Sequence, residues 1–216
     1  MILSKARLAI TLSQLKTFVD PKSDDEQYVM DSEIGAEVLW QAYMQGDIEN
    51  RRIVDLGAGT GLLGIGCLLL GAASVLFVEQ DPKAVEVLQD NLRSLNTVGN
   101  MHAEVHCGDI QSSTQKFDTV VQNPPFGTRS KHADRAFLEK AFQLAPTVYS
   151  FHKATSEDFL QKFSADQGFQ IVGKWLFDFP IKMSQLFHKK VIHRVKVGCW
   201  KFAKQPPSPD AQTQPT

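Results

Sequence analysis

Asn123-Pro124-Pro125-Phe126-Gly127 follows the run Asp118-Thr119-Val120-Val121-Gln122, so an amide, two rigid residues and an aromatic ring meet where a strand ends. Two prolines fix φ and donate no N–H, which holds a turn whose carbonyls stay available as acceptors. An amide oxygen plus a carbonyl can take both hydrogens of a planar amino group, and Phe126 offers a face for a ring to stack on. Such a grip answers a chemical difficulty. The lone pair of a nitrogen bonded to an aromatic ring or an acyl group is delocalised and weakly nucleophilic. Holding both N–H bonds to acceptors draws the nitrogen toward a tetrahedral shape and frees the pair to attack an electrophilic methyl in line. No strong general base is required, because the proton can leave after transfer.

A second constellation lies upstream. Ile53-Val54-Asp55-Leu56-Gly57-Ala58-Gly59-Thr60-Gly61 is an apolar strand, then alternating glycines, then an apolar helix. Glycines there permit positive φ and let the backbone approach a ligand at the carboxyl end of a strand. Glu79 ends the next strand, about 20 residues on, where a carboxylate can hold two ribose hydroxyls. The spacing differs from G-x-G-x-x-G and no Walker lysine is present, so neither a dinucleotide nor a triphosphate is favoured. Asp55 suits a cationic ligand better than a phosphate. Asp109, after a third strand, reads equally as an acceptor for an exocyclic adenine amine and as an ordinary helix cap.

The elements that must position these residues follow from periodicity. Ser4–Phe18 predicts an amphipathic helix capped by Ser4, and a second helix runs from Asp31 or Ser32 toward Gly46. Strands are expected at Ile53–Leu56, Ser74–Glu79, Ala103–Cys107, Phe117–Gln122 and Thr147–Phe151. Helices are expected at Leu62–Leu70, Pro82–Leu95 and Ala133–Leu144. Thr155-Ser156-Glu157-Asp158 has the pattern of a capping box, and Gly168 is placed to end the helix it opens. Phe169–Phe179 and His193–Phe202 suggest a closing antiparallel pair. The fold class is α/β: a doubly wound, mostly parallel seven-stranded sheet, covered on both faces. Residues 1–204 read as one domain with an N-terminal helical extension, and 205–216, rich in proline, as a disordered tail.

Composition agrees with a soluble chain. The 216 residues are 43% hydrophobic and 22% charged, which excludes a collagen-like or disulfide-scaffold protein. Twenty-three basic against twenty-four acidic residues leave a net charge of -1, so any nucleic-acid contact must come from a local basic patch. Cys67, Cys107 and Cys199 sit in apolar or β-like runs and read as buried thiols, with no metal site expected. No stretch is long and apolar enough to span a bilayer, and the expected location is the cytoplasm, or the nucleus or nucleolus in a eukaryote.

The glycine loop resembles the S-adenosylmethionine loop of class I methyltransferases, and Asn123-Pro124-Pro125-Phe126 resembles the Asn/Asp-Pro-Pro-Phe/Tyr motif of amino-nitrogen methyltransferases. Glu26-Gln27-Tyr28, Tyr149-Ser150-Phe151-His152-Lys153 and Phe187-His188-Lys189-Lys190 extend the likeness to the methyltransferase-like-five family of small-subunit rRNA adenine-N6 methyltransferases. That resemblance implies a Rossmann-like fold and S-adenosylmethionine as cofactor. It implies contacts from Gln27, Gly57, Thr60, Leu62, Glu79 and Asp109, to which Tyr28, Asp55 and Gly59 join. Asn123, Pro124 and Phe126 would hold the target base. It also implies a small zinc-containing activator paired with an edge of the sheet. Val29-Met30 replaces the family's Pro-Thr, which removes a hydroxyl contact to the cofactor. Ala58 and Thr60 stand where some relatives have cysteines, and Glu79 stands where they have an aspartate.

Between Asp178 and Asp210 there is no acidic residue, while Lys182, Lys189, Lys190, Arg194, Lys196, Lys201 and Lys204 are interleaved with Phe187, His188 and Trp200. This pattern suits RNA, or alternatively a solvated edge strand. The RNA-contact set comprises Arg129, Lys131, Lys153, His188, Lys189 and Lys190. An adenine in a duplex cannot reach Asn123, so the target is expected to be unpaired or flipped out. The competing readings are a glutamine-amide methyltransferase and a non-catalytic RNA-binding assembly factor of the same fold.

Overall fold

A computed structural model describes residues 3–18, 30–95, 102–125, 133–182 and 192–206. Its seven strands form one sheet in the order β3-β2-β1-β4-β5-β7-β6. The central strands are β1 (Arg52–Leu56), β2 (Ser74–Glu79), β4 (Thr119–Gln122) and β5 (Thr147–Lys153), with β3 (Ala103–Cys107) at one edge. These five run parallel. β6 (Phe169–Lys182) and β7 (Ile192–Lys204) close the other side as an antiparallel pair. The α/β class, the strand count and the closing pair agree with the sequence.

Apolar runs in β1, β2, β4 and β5 are buried on both faces, as parallel strands between helices must be. One face packs on α1 (Lys5–Ser13), α2 (Ser32–Met44) and α3 (Leu62–Leu69), through Leu8, Leu12, Leu39, Ile65 and Phe77. The opposite face packs on α5 (Ala133–Leu144) and α6 (Glu157–Asp166), through Leu138, Phe142, Leu160 and Trp200. α4 (Pro82–Leu95) joins β2 to β3 and inserts Leu88 beside α3.

Local signals place most boundaries. Ser4 accepts the Arg7 N–H and Asp31 accepts the Glu33 and Ile34 N–H groups, so both predicted caps form. α1 ends at Ser13, five residues earlier than expected. The capping box does not form: Ala154–Ser156 make a 3₁₀ turn, and Ser156 makes no side-chain cap bond at the start of α6. Gly168, at φ 74°, ends that helix as expected. β3 is mostly exposed, because it is the sheet edge, so the sheet is not covered everywhere. That overturns the buried reading of Cys107, which is exposed, while Cys67 and Cys199 are buried thiols. Gln205, assigned to the tail, donates its N–H to the Gly168 carbonyl; residues 207–216 lie outside the described residues.

The chain order reverses between β1 and β4. Their connections leave in opposite directions, which opens a crevice at the carboxyl ends of the strands. Leu56 pairs with Gln122, so the glycine loop and the Asn123 turn emerge side by side.

Candidate active site

β1 delivers a loop in which Gly57, Gly59 and Gly61 adopt φ of 67°, 55° and 92°. A side chain at Gly61 would be strained by that φ and would place its Cβ 2.2 Å from Leu88 Cδ1. Gly57 and Ala58 donate to the Val78 carbonyl at 2.9 and 3.0 Å, which ties the loop to β2. Gly61 caps α3 without a side chain of its own. Asp55 supplies the missing acceptor: its Oδ2 takes the Gly64 N–H at 2.8 Å.

Asp55 is thus a helix cap as well as a residue of the cavity wall. The side chain is buried, and burial pushes its carboxyl up to about 7, opposed by the Gly64 N–H and reinforced by the Glu79 charge. Near neutrality it is only partly ionised.

Glu79 ends β2 with both oxygens engaged. Oε2 accepts the Gly59 N–H and Oε1 the Asp81 N–H, each at 2.8 Å. The carboxylate thereby fixes the glycine loop while facing the same cavity, and its remaining lone pairs suit hydroxyl donors. Asp109 accepts the Gln111 N–H at 2.7 Å and caps a 3₁₀ turn, Ile110–Ser112. The cap reading of Asp109 is thus borne out, and the residue also lines the cavity.

A cavity of about 880 Å³ joins these groups to Asn123, Pro124 and Pro125. Asp55, Gly57, Gly59, Thr60, Leu62, Glu79 and Asp109 all line it, so the described cofactor candidates come together. Asn123 Oδ1 is buried and has no hydrogen-bond partner among the described residues. A buried acceptor left open where a strand meets a pocket is the signature of a ligand donor. Met30 is 7% exposed and packs in the α1–α3 core at the cavity wall, so an apolar contact stands where a hydroxyl was missed.

Behind the turn, a polar row crosses the sheet. Gln122 Nε2 donates to Ser150 Oγ at 2.9 Å, and Ser150 Oγ lies 2.7 Å from His152 Nε2. Burial holds His152 well below its ordinary range, at about 3, so it is neutral. It is a core histidine rather than a surface one. Trp200 is wholly buried, which removes it from the basic surface, and Lys201 bonds Asp47 at 2.6 Å. Both belong to β7, which is flanked by β5 and β6.

Lys153 ends β5 half-buried at the carboxyl edge of the sheet. Beyond its pairing with Val197, β6 and β7 continue as a two-stranded ribbon from Asp178↔Lys196 to Lys182↔Ile192. Lys196, Arg194 and Lys182 are thereby placed, by register, past the carboxyl end of β5. Gln27, Tyr28, Phe126, Arg129, Lys131, His188, Lys189 and Lys190 lie outside the described residues.

Sequence reasoning placed the segment 14–18 in the first helix and assigned it no part in the site. Leu15, Lys16, Thr17 and Phe18 line the cavity, and Phe18 covers Gly59. It also passed over Asn91, 1% exposed on the buried side of α4. A polar residue three places after Leu88 on an otherwise apolar stripe was the available signal.

Residues 30–148 match the methyltransferase small domain family. The chain is 32% identical to the zebrafish (Danio rerio) rRNA N(6)-adenosine-methyltransferase METTL5, over 88% of this chain and 94% of that protein. It is 36% identical to Drosophila melanogaster Mettl5, over 86% of this chain and 89% of the relative. Among solved structures, PH1948 of Pyrococcus horikoshii, described as an RNA methyltransferase candidate, matches at 42% identity and TM-score 0.86, covering 95% and 100% of the two chains. Synechocystis magnesium protoporphyrin IX methyltransferase with bound SAM shares the fold at 17% identity and TM-score 0.63, covering 80% and 79%.

Proposed function

This chain belongs to the methyltransferase small domain family, and we propose that it places a methyl on the N6 amine of an unpaired or flipped-out adenosine in small-subunit rRNA. Relatives along nearly the whole chain bear the rRNA N(6)-adenosine activity in their names, which favours RNA over a glutamine-amide substrate. The observation that carries the reading is the buried, partnerless Asn123 Oδ1 at the wall of the cavity that the glycine loop shares.

S-adenosylmethionine, when bound, supplies an electrophilic methyl. The residues fit it: the positive-φ glycines make a cradle without side chains, Glu79 would offer lone pairs to the ribose hydroxyls, and Asp109, on the same cavity wall, would accept from the adenine amine. Leu62 and Met30 supply apolar wall. The order of events at the target then follows from the chain's own groups. Asn123 Oδ1 accepts one N–H of the base amine, the Pro124 carbonyl accepts the other, and Phe126 stacks on the ring. These bonds orient the nitrogen lone pair toward the cofactor side of the crevice. After transfer the nitrogen is cationic, and its extra proton passes to water, so no buried base is needed. Neutral His152 lies behind the turn and takes no proton in this scheme.

The β6–β7 ribbon, with Lys182, Arg194 and Lys196, and Lys153 at the end of β5 support a path for the RNA backbone toward the turn. Arg129, Lys131, His188, Lys189 and Lys190 belong to the same reading on the sequence alone, since they lie outside the described residues. A small zinc-containing activator belongs to the same reading, and the exposed edge strand β3 supports a partner that adds a strand. Among the described residues no helix is long and apolar enough to cross a membrane.

The test is methyl transfer from labelled S-adenosylmethionine to purified small-subunit rRNA, followed by nucleoside analysis. N6-methyladenosine that vanishes with Asn123→Ala is the expected result. Equal rates on a fully paired oligonucleotide carrying the site would overturn the requirement for an unpaired base.

A further inference from the structure

Asn91 is a buried side chain with unusually complete use. Its Oδ1 accepts the Lys16 backbone N–H at 2.8 Å, while Nδ2 donates to the Lys16 carbonyl at 3.0 Å and to the Thr60 carbonyl at 2.9 Å. The carboxamide thus pairs with Lys16 as a neighbouring strand would, and its second hydrogen reaches the cofactor loop. Sequence separations of 75 and 31 residues are bridged by one group. No other residue type fits: aspartate lacks the donors, leucine lacks both functions, and glutamine adds a methylene to a fully buried position.

What Asn91 fastens is part of the cavity wall. Residues 15–18 line the pocket, and an ideal Cβ at Gly59 would lie 3.1 Å from Phe18 Cζ, so the ring closes over the loop where its backbone is bare. Lys16 is held a second time by its ammonium, 2.8 Å from Asp90 on the same helix turn. That outer ion pair is exposed and weak, whereas the amide bonds are out of water.

We propose that Asn91 is a positioning residue that couples the N-terminal segment to the glycine loop, so that cofactor affinity depends on Lys16 being docked and Phe18 covering Gly59. The proposal rests on the reading of the cavity as the S-adenosylmethionine site. Thr60 is the shared element: its carbonyl is fixed from behind by Asn91, and the cavity meets its other side. Releasing Lys16 removes the wall formed by Phe18 and frees the loop at once. A ligand bound there is then more exposed to water and must order the loop itself.

The experiment is isothermal titration of S-adenosylmethionine into the full chain, Asn91→Ala and Phe18→Ala, with hydrogen–deuterium exchange of the same proteins. The unaltered chain should bind, with protection of amides 14–18. In Asn91→Ala, Kd should rise about tenfold, equivalent to about 1.4 kcal/mol. Amides 14–18 should exchange freely while those of β1 and β4 keep their protection. Phe18→Ala should raise Kd while the Lys16 amide stays protected, a separation that general loosening of the fold does not produce. Unchanged affinity in Asn91→Ala with segment 14–18 released would overturn the proposal. If Asn91→Ala loses protection across the sheet, Phe18→Ala decides, and unchanged affinity there overturns it as well. Absence of binding by the unaltered chain would instead sink the reading of the cavity.

Discussion

On the cofactor side of the crevice, Asp55, Glu79 and Asp109 are each held by backbone N–H groups, whereas one strand away Asn123 keeps a buried oxygen with no partner among the described residues. The first region is preorganised: Asp55 and Glu79 fix the glycine loop and the helix after it, and Asp109 its own turn, before any ligand arrives, so little reordering accompanies binding. The second holds an acceptor in reserve. Such an oxygen costs the folded protein about 1–3 kcal/mol, and a substrate donor removes that cost in the complex. On the proposed reading, affinity for the cofactor rests on a satisfied network, and orientation of the target on an unsatisfied atom.

The sharpest way to break this contrast is Asn123→Ala. We expect kcat to fall by about 10²–10³, or about 3–4 kcal/mol, as for loss of other preorganised hydrogen-bonding groups. Thermal stability should hold or rise slightly, because a partnerless buried oxygen is removed. Single-turnover kinetics beside thermal melts would show it; a matched loss of stability would refute the reserved-acceptor view. On the opposite side, Gly61→Ala meets both positive φ and Leu88, and should cost about 2–3 kcal/mol of stability in urea titrations.

The two regions also carry opposite proton linkage. Asp55 titrates at 3.8 when unfolded and about 7 when folded, so between these values unfolding releases a proton and stability falls as pH rises. His152 moves from 6.5 to about 3, so over that window unfolding takes up a proton and stability falls as pH drops. The slopes oppose each other between about pH 4 and 6.5. Asp55→Asn, which keeps an acceptor for Gly64, should uncover the histidine slope, up to about 1.4 kcal/mol per pH unit, in denaturant midpoints across that range. A flat profile in the variant would show that His152 is not buried neutral. The smallest effect belongs to a pair remote from both regions: Lys174→Ala, breaking contacts of 2.6 and 2.7 Å to partly exposed Glu157, should change stability by less than about 1 kcal/mol.

Much of this architecture is written locally. The strand at Ser74–Glu79 and the helices at Pro82–Leu95 and Ala133–Leu144 have the bounds that their apolar spacing and terminal residues predict. The Gly57–Gly61 loop and the Asn123 turn are equally local, because positive φ and fixed φ are properties of single residues. The misjudged residues depend on what lies beside them. Cys107 resembles a buried strand residue until β3 proves to be an edge, and Trp200 resembles a surface aromatic until β7 proves to be flanked on both sides. Ser156 has the composition of a cap, yet a 3₁₀ turn takes its place.

The amino-acid order by itself determined the strand–helix alternation, the family likeness and the residue types that meet at the cavity, since each is carried by short-range pattern. Only the tertiary structure decided that Asp55 caps α3, that Glu79 is locked by Gly59, that Asn123 is left open and that Asn91 joins Lys16 to Thr60. Those facts are hydrogen-bond assignments between segments up to 75 residues apart. Whether a polar atom is satisfied depends on every neighbour the fold brings to it, and spacing along the chain does not carry that information.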